Sequence, residues 1–106
     1  MKQEKIPNNL INSIVLGDCL EVIKRIPDES IDVTFADPPF NLKKIYNNYN
    51  DKKTNEEYLV WCKQWLKEMV RVTKPAGSIF VHNIPKWLIY FATYLNEIAI
   101  FRHWIA

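Results

Sequence analysis

Asp37-Pro38-Pro39-Phe40 places a carboxylate, two prolines and an aromatic ring directly after the apolar run Ile31-Asp32-Val33-Thr34-Phe35-Ala36. Those residue types suit one kind of chemistry. Proline holds φ near about −65° and has no N–H to donate, so the two proline carbonyls stand as acceptors beside the Asp37 carboxylate. Consider a planar ring stacked on Phe40 with its exocyclic amino group turned toward these three acceptors. Both amine hydrogens would be engaged, which draws the nitrogen lone pair out of conjugation and makes the amine a nucleophile. A methyl sulfonium held in line would then be attacked by direct displacement, a step governed by positioning and electrostatics. D-P-P is also a common turn tripeptide, so the motif takes its weight from its surroundings.

Several elements must position it. Ile31–Ala36 reads as a strand whose near-continuous apolar character suits burial on both faces of a parallel sheet, and open α/β sheets bind ligands at the carboxyl ends of their strands. Upstream, residues 13–16 read as a first strand entering Gly17-Asp18. Asp18 is a candidate N-cap, with Glu21 three residues on, for a short helix carrying Leu20, Val22, Ile23 and Ile26 and closed by Pro27. After Phe40 comes a polar loop rich in Asn and Lys, of a length that in a compact domain tends to be functional or mobile.

Thr54-x-x-Glu57 is a second capping box, opening a long helix through about Val72. Tyr58, Cys62, Trp65, Leu66, Met69 and Val70 recur along it at helical spacing, which predicts one face packed on the sheet. Lys74-Pro75-Ala76-Gly77 ends that helix, residues 78–82 read as a third strand, and Pro85 starts a third helix to about Asn96. Trp87, Tyr90, Phe91 and Tyr94 share one of its faces. Residues 98–105 read as a fourth strand. The order β-α-β-loop-α-β-α-β is that of an α/β fold with a mainly parallel sheet.

Composition narrows the class. The 106 residues suffice for one domain, and 48% of them are hydrophobic, enough for a modest core. No apolar run reaches the roughly 18 residues of a membrane span, and Met1-Lys2-Gln3-Glu4-Lys5 lacks the apolar stretch of a secretory signal, so a cytoplasmic protein with no membrane partner is expected. Cys19 and Cys62 are lone thiols, expected to be reduced, with no metal-ligand spacing around them. A formal charge of +2 does not by itself argue for a polyanion partner. Glycine is scarce: only Gly17 and Gly77 occur, so there is no G-x-G-x-x-G loop to cradle a nucleotide. The chain reaches Trp104-Ile105-Ala106 inside an apolar run without a turn or capping residue, which reads as a truncation.

Asp37-Pro38-Pro39-Phe40 with Asn41-Leu42 after it, and Gly17-Asp18-Cys19-Leu20 before it with Asp18 and Asp37 nineteen positions apart, resembles the amino-DNA methyltransferases that use S-adenosylmethionine. The resemblance covers about residues 13–105 and includes the Lys74-Pro75-x-Gly77-Ser78 turn into a strand. It implies a Rossmann-like methyltransferase fold, incomplete at its carboxyl side. The D-P-P-[YF] form is similar to that of enzymes methylating adenine at N6, whereas cytosine-N4 relatives more often begin the motif with Ser. Only 36 residues precede the motif, and none forms a glycine-rich loop. That order resembles the start of the permuted β group, in which the target-recognition and glycine-rich segments follow.

Carried over residue by residue, the resemblance makes Asp37, Pro38, Pro39 and Phe40 the catalytic motif. Asp37 and the Pro38 carbonyl would accept from the target amino group near the methionine end of the cofactor. Phe40 would stack on an adenine flipped out of double-stranded DNA, where stacking returns about 1–3 kcal/mol against a flipping cost of a few. Asp18, Cys19 and Leu20 would line the pocket for the cofactor's adenine. Asn41, Lys43, Lys44, Lys52 and Lys53 would lie along the phosphates beside the flipped base. Chemistry at an amino nitrogen needs no thiolate, so Cys19 is expected to be a half-buried packing cysteine.

The same resemblance implies a restriction-modification setting and the remainder of a methyltransferase chain as partner, and leaves a homodimer open. His82 and His103 read as structural, and the tryptophans 61, 65, 87 and 104 as core or interface. Three other readings stand beside this one: a cytosine-N4 enzyme, an inactive fragment or binding module, and a methyltransferase for another amine, whose relatives carry N-P-P-Y or N-L-P-Y. In the family's sheet other strands lie between the first two seen here, so residues 13–16 and Ile31–Ala36 are expected not to pair.

Overall fold

The computed structural model describes residues 5–42, 45–46, 49–50 and 53–105. A parallel pair of strands, β1 (Ile31–Ala36) and β4 (Thr73–Val81), forms the sheet that carries the motif. Between them run a two-residue antiparallel pair, β2 (Ile45–Tyr46) with β3 (Tyr49–Asn50), and the long helix α2 (Asn55–Val72). The short helix α1 (Cys19–Ile23) precedes the sheet and α3 (Pro85–Ile98) follows it. This is a small α/β unit with one β-α-β connection.

The helix boundaries follow local chemistry. Thr54 Oγ1 accepts from the Glu57 amide at 3.1 Å, the N-cap half of the expected box, and its hydroxyl donates to the Glu57 carboxylate at 3.1 Å. Asp18 accepts from the Leu20 amide at 2.9 Å, although α1 is only five residues long. Pro85 opens α3 at its first position, where its missing N–H costs nothing.

Tyr58, Cys62, Trp65, Leu66, Met69 and Val72 on α2 are buried, joined by Trp87 and Phe91 of α3. This is the face anticipated from periodicity, with Val72 inside and Val70 half-buried. Burial pushes the Cys62 thiol up to about 12, so it packs as a small apolar side chain. Both cysteines are free thiols. Arg71 ties α2 to the α1 segment: its guanidinium donates to the carbonyls of Ile23 and Ile26 at 2.9 and 2.8 Å and to Asp28 at 2.7 Å.

The sheet departs from expectation in three ways. First, β1 is not buried on both faces. Ala36 packs on the helices with Ile79 and Val81 of β4, while Val33, Phe35 and Phe80 on the opposite face are exposed. Alternation sends successive side chains to opposite sides, and among the described residues nothing lies over the second side. Second, residues 13–16 and 99–105 are not strands. Ile14, Leu16, Ile100 and Ile105 are exposed; an apolar β-prone run becomes a strand only where a neighbour supplies the ladder. Residues 13–16, which form no strand, do not pair with β1. Third, β4 begins at Thr73, earlier than residue 78.

That earlier start has a packing cause. Ile31 pairs with Thr73 and Val33 with Ser78, so the Lys74-Pro75-Ala76-Gly77 stretch is accommodated as a bulge. At Gly77 a Cβ would lie 2.6 Å from the Asp32 carbonyl oxygen and 2.7 Å from Thr73 Cγ2. Gly77→Ala is therefore expected to destabilise the fold by about 1–3 kcal/mol through overpacking, read as a lowered urea midpoint.

Candidate active site

The motif lies where β1 ends. The register Phe35↔Phe80 and Ala36↔Val81 continues for one step: the His82 amide donates to the Ala36 carbonyl at 2.9 Å. Asp37 and His82 thus emerge side by side at the carboxyl edge of two parallel strands. His82 Nδ1 lies 2.9 Å from Asp37 Oδ1, and both side chains are more than half exposed. An ionised carboxylate only accepts, so the imidazole is the donor. The reading of His82 as structural does not include this pairing, which arises from strand register and which neither residue's sequence neighbourhood contains. His103 lies exposed in the segment after α3.

The two residues after Pro38 are held from behind. Tyr58 Oη donates to the Pro39 carbonyl and accepts from the buried Asn83 carboxamide at 3.0 Å. Trp87 Nε1 donates to the Phe40 carbonyl at 2.7 Å. Asn83 in turn caps the Ile84 amide at 2.8 Å. The expectation of two proline carbonyls open to a ligand is thereby corrected: Pro39 is engaged by Tyr58, while the Pro38 carbonyl has no partner among the described residues. Two acceptors of the motif are left for a ligand among the described residues, the Asp37 carboxylate and the Pro38 oxygen.

Phe40 is half-buried, its ring 5.4 Å from that of His82 in an edge-to-face arrangement at 65°. Asn41 follows with φ 55°, a left-handed conformation that Asn tolerates better than most residues. Its carboxamide donates to the Lys53 carbonyl at 2.9 Å and accepts from the Lys53 amide at 3.1 Å. Asn41 is buried, so its side chain clamps the two ends of the intervening loop together. The Lys53 ammonium lies 5.6 Å from the Trp61 ring centroid, a cation–π distance. Lys43, Lys44 and Lys52 lie outside the described residues.

At the other candidate position, the Asp18 cap leaves one carboxylate oxygen uncommitted among the described residues. Cys19 is exposed rather than half-buried, because α1 is too short to fold it under a neighbour. Partial desolvation, and secondarily the Asp18 charge, still raise its thiol above the ordinary range, which disfavours a thiolate nucleophile. Leu20 is half-buried and packs against the aromatic core.

Sequence reasoning missed four residues of this arrangement: Tyr58, His82, Asn83 and Trp87. His82-Asn83 immediately after an apolar run was the available signal, since a polar pair at a strand's carboxyl end is placed where ligands bind. Periodicity makes Tyr58 and Trp87 packing residues, and both are buried; their polar atoms have a second use that periodicity does not report.

The chain is similar to known proteins over most of its length. The DNA methylase family of N6- and N4-type enzymes matches residues 31–106. Type II methyltransferase M.BamHI of Bacillus amyloliquefaciens is 52% identical over 90 residues, covering 84% of this chain and 21% of that protein. Type II methyltransferase M.HinfI of Haemophilus influenzae is 41% identical over 95 residues, covering 76% of this chain and 26% of its own length. M.BglII of Bacillus subtilis is 36% identical over 86% of this chain and 22% of its own. The chain thus spans about a quarter of the length of the relatives it matches. With the strand, the motif at its end and the following helix and strand all inside the matched region, the chain belongs to the N6/N4 DNA methylase family.

Proposed function

We propose that this chain forms the methyl-acceptor side of a type II DNA methyltransferase that transfers a methyl group from S-adenosylmethionine to the exocyclic amino group of a base in double-stranded DNA. The observation that carries the reading is the division of labour among the motif's oxygens. Tyr58 and Trp87 engage the Pro39 and Phe40 carbonyls, which leaves the Asp37 carboxylate and the Pro38 carbonyl as the motif's acceptors for a ligand beside the Phe40 ring. Two acceptors next to a stacking face match an aromatic amine. Adenine N6 is the acceptor favoured by an aspartate at the first motif position; cytosine N4 presents the same donors to the same oxygens.

The residues present also fit part of the cofactor. The uncommitted Asp18 oxygen, beside Cys19 and Leu20, is suited to accept from an adenine amino group, and Asp37 and Pro38 would face its methionine end. S-adenosylmethionine, when bound, supplies an electrophilic methyl group on a sulfonium. Asp37 would stabilise positive charge growing on the amine nitrogen as it forms its bond to carbon. Phe40 would fix the ring plane so that the lone pair points along the line of attack. The amino proton left after transfer would pass to water at this exposed edge.

The full-length protein is expected to transfer tritium-labelled methyl from S-adenosylmethionine to duplex DNA, with N6-methyladenine found by mass spectrometry of the hydrolysed product. N4-methylcytosine would place the enzyme in the other branch of the family. Absence of label from DNA, with the protein folded, would refute the reading. Partners implied by it are duplex DNA with a flipped base and the remainder of the methyltransferase chain, in a restriction-modification setting. No helix among the described residues is long and apolar enough to cross a membrane.

A further inference from the structure

The geometry points to His82 as a positioning residue for Asp37, an inference that rests on the function proposed above. Asp37 is exposed at a strand end, and a carboxylate in that setting samples several rotamers. Methyl transfer requires one that aims an oxygen at the amine of a base stacked on Phe40. His82 removes that freedom from one side. Its Nδ1 donates to Asp37 Oδ1 at 2.9 Å, which leaves Oδ2 as the acceptor for the target amine.

The imidazole can do this because its own backbone is fixed on both sides. The His82 amide is bonded to the Ala36 carbonyl at 2.9 Å, one residue before Asp37. Asn83, the next residue, is buried and bonded to Tyr58 and to the Ile84 amide. The ring is further placed by its edge-to-face contact with Phe40, 5.4 Å between centroids. One side chain therefore touches both the acceptor and the stacking ring of the motif. It couples the direction of the Asp37 oxygen to the plane of the base. Because His82 acts through Asp37, its contribution belongs in the chemical step and not in the affinity for DNA or cofactor.

The test compares wild type, His82→Ala and His82→Asn in the full-length protein. An asparagine side-chain nitrogen occupies nearly the place of Nδ1 and donates in the same direction. His82→Ala is expected to lower kcat for DNA methylation about tenfold, as misplacement of a reacting group does, with the Kd for S-adenosylmethionine and the KM for DNA unchanged within about twofold. His82→Asn is expected to recover kcat to within about threefold of wild type.

Nitrogen-15 NMR gives a readout independent of turnover. When its ring is neutral, His82 should be in the Nδ1–H tautomer in wild type and lose that preference in Asp37→Ala. Wild-type kcat in His82→Ala, an effect confined to KM, an asparagine variant no better than alanine, or an Nε2–H tautomer in wild type would each overturn the assignment. If wild type itself methylates no DNA, the function reading fails instead, while the tautomer measurement still decides whether the His82–Asp37 bond exists.

Discussion

Replacing Asp37 by alanine in the full-length protein is expected to lower the rate of methyl transfer by about 10²–10³-fold, the range seen when one preorganised electrostatic partner of a reacting centre is removed. The expectation follows from how little else the residue does. Its side chain is more than half exposed and its one partner among the described residues is His82. The fold should therefore survive: exposed substitutions of this kind usually change stability by no more than about 0.5 kcal/mol. The thermal midpoint should stay close to wild type, and cofactor affinity, which draws on other contacts, should fall far less than kcat. Asp37→Asn sharpens the test, since it preserves shape and one acceptor oxygen while removing the charge. An activity intermediate between wild type and Asp37→Ala is the expected result. Unchanged methylation in Asp37→Ala would remove the residue from the mechanism.

Trp87 is the second position where a large effect is expected, and here the loss is one of fold and site together. The indole is 1% exposed and sits among Tyr58, Phe91 and the aromatic face of α2, with its ring 4.7 Å from that of Tyr58. Trp87→Ala should cost about 3–5 kcal/mol from the cavity alone, a large fraction of the total stability of a domain of this size. Trp87→Phe separates the two contributions. It keeps most of the packing and deletes the 2.7 Å bond to the Phe40 carbonyl, leaving that acceptor short of a partner at a cost of about 1–3 kcal/mol. Urea unfolding should show the larger loss for alanine. Methylation by the phenylalanine variant should drop at temperatures where it is still folded, because the Phe40 backbone is no longer anchored. Full activity in a folded Trp87→Phe protein would mean that the anchor does not matter to the site.

Much of this arrangement could be read from residue types in order. The N-caps at Thr54 and Asp18, the extent of α2 and the limits of β1 depend on interactions within a few residues, and the structure places them as expected. Asp37-Pro38-Pro39-Phe40 falls at a strand's carboxyl end for the same local reason, and that motif with its neighbours carried the family resemblance that the comparisons bear out. Residues 13–16 and 98–105 show the limit of such reading. Both have the apolar, β-branched character of strands, yet whether such a run becomes one depends on a partner elsewhere.

By itself, then, the sequence determined the helices, the central strand, the position of the motif and the family, all of which rest on short-range propensity and on residue identity. The tertiary structure alone decided which carbonyls of the motif are engaged from behind. Tyr58 and Trp87 look like core residues in any periodicity, and only packing brings their polar atoms to the Pro39 and Phe40 carbonyls. Parallel register, a property of two strands separated by 36 positions between Ala36 and Thr73, set His82 against Asp37. Hydrogen bonds across such separations form where the fold brings chain segments together, and no local pattern of side chains encodes them.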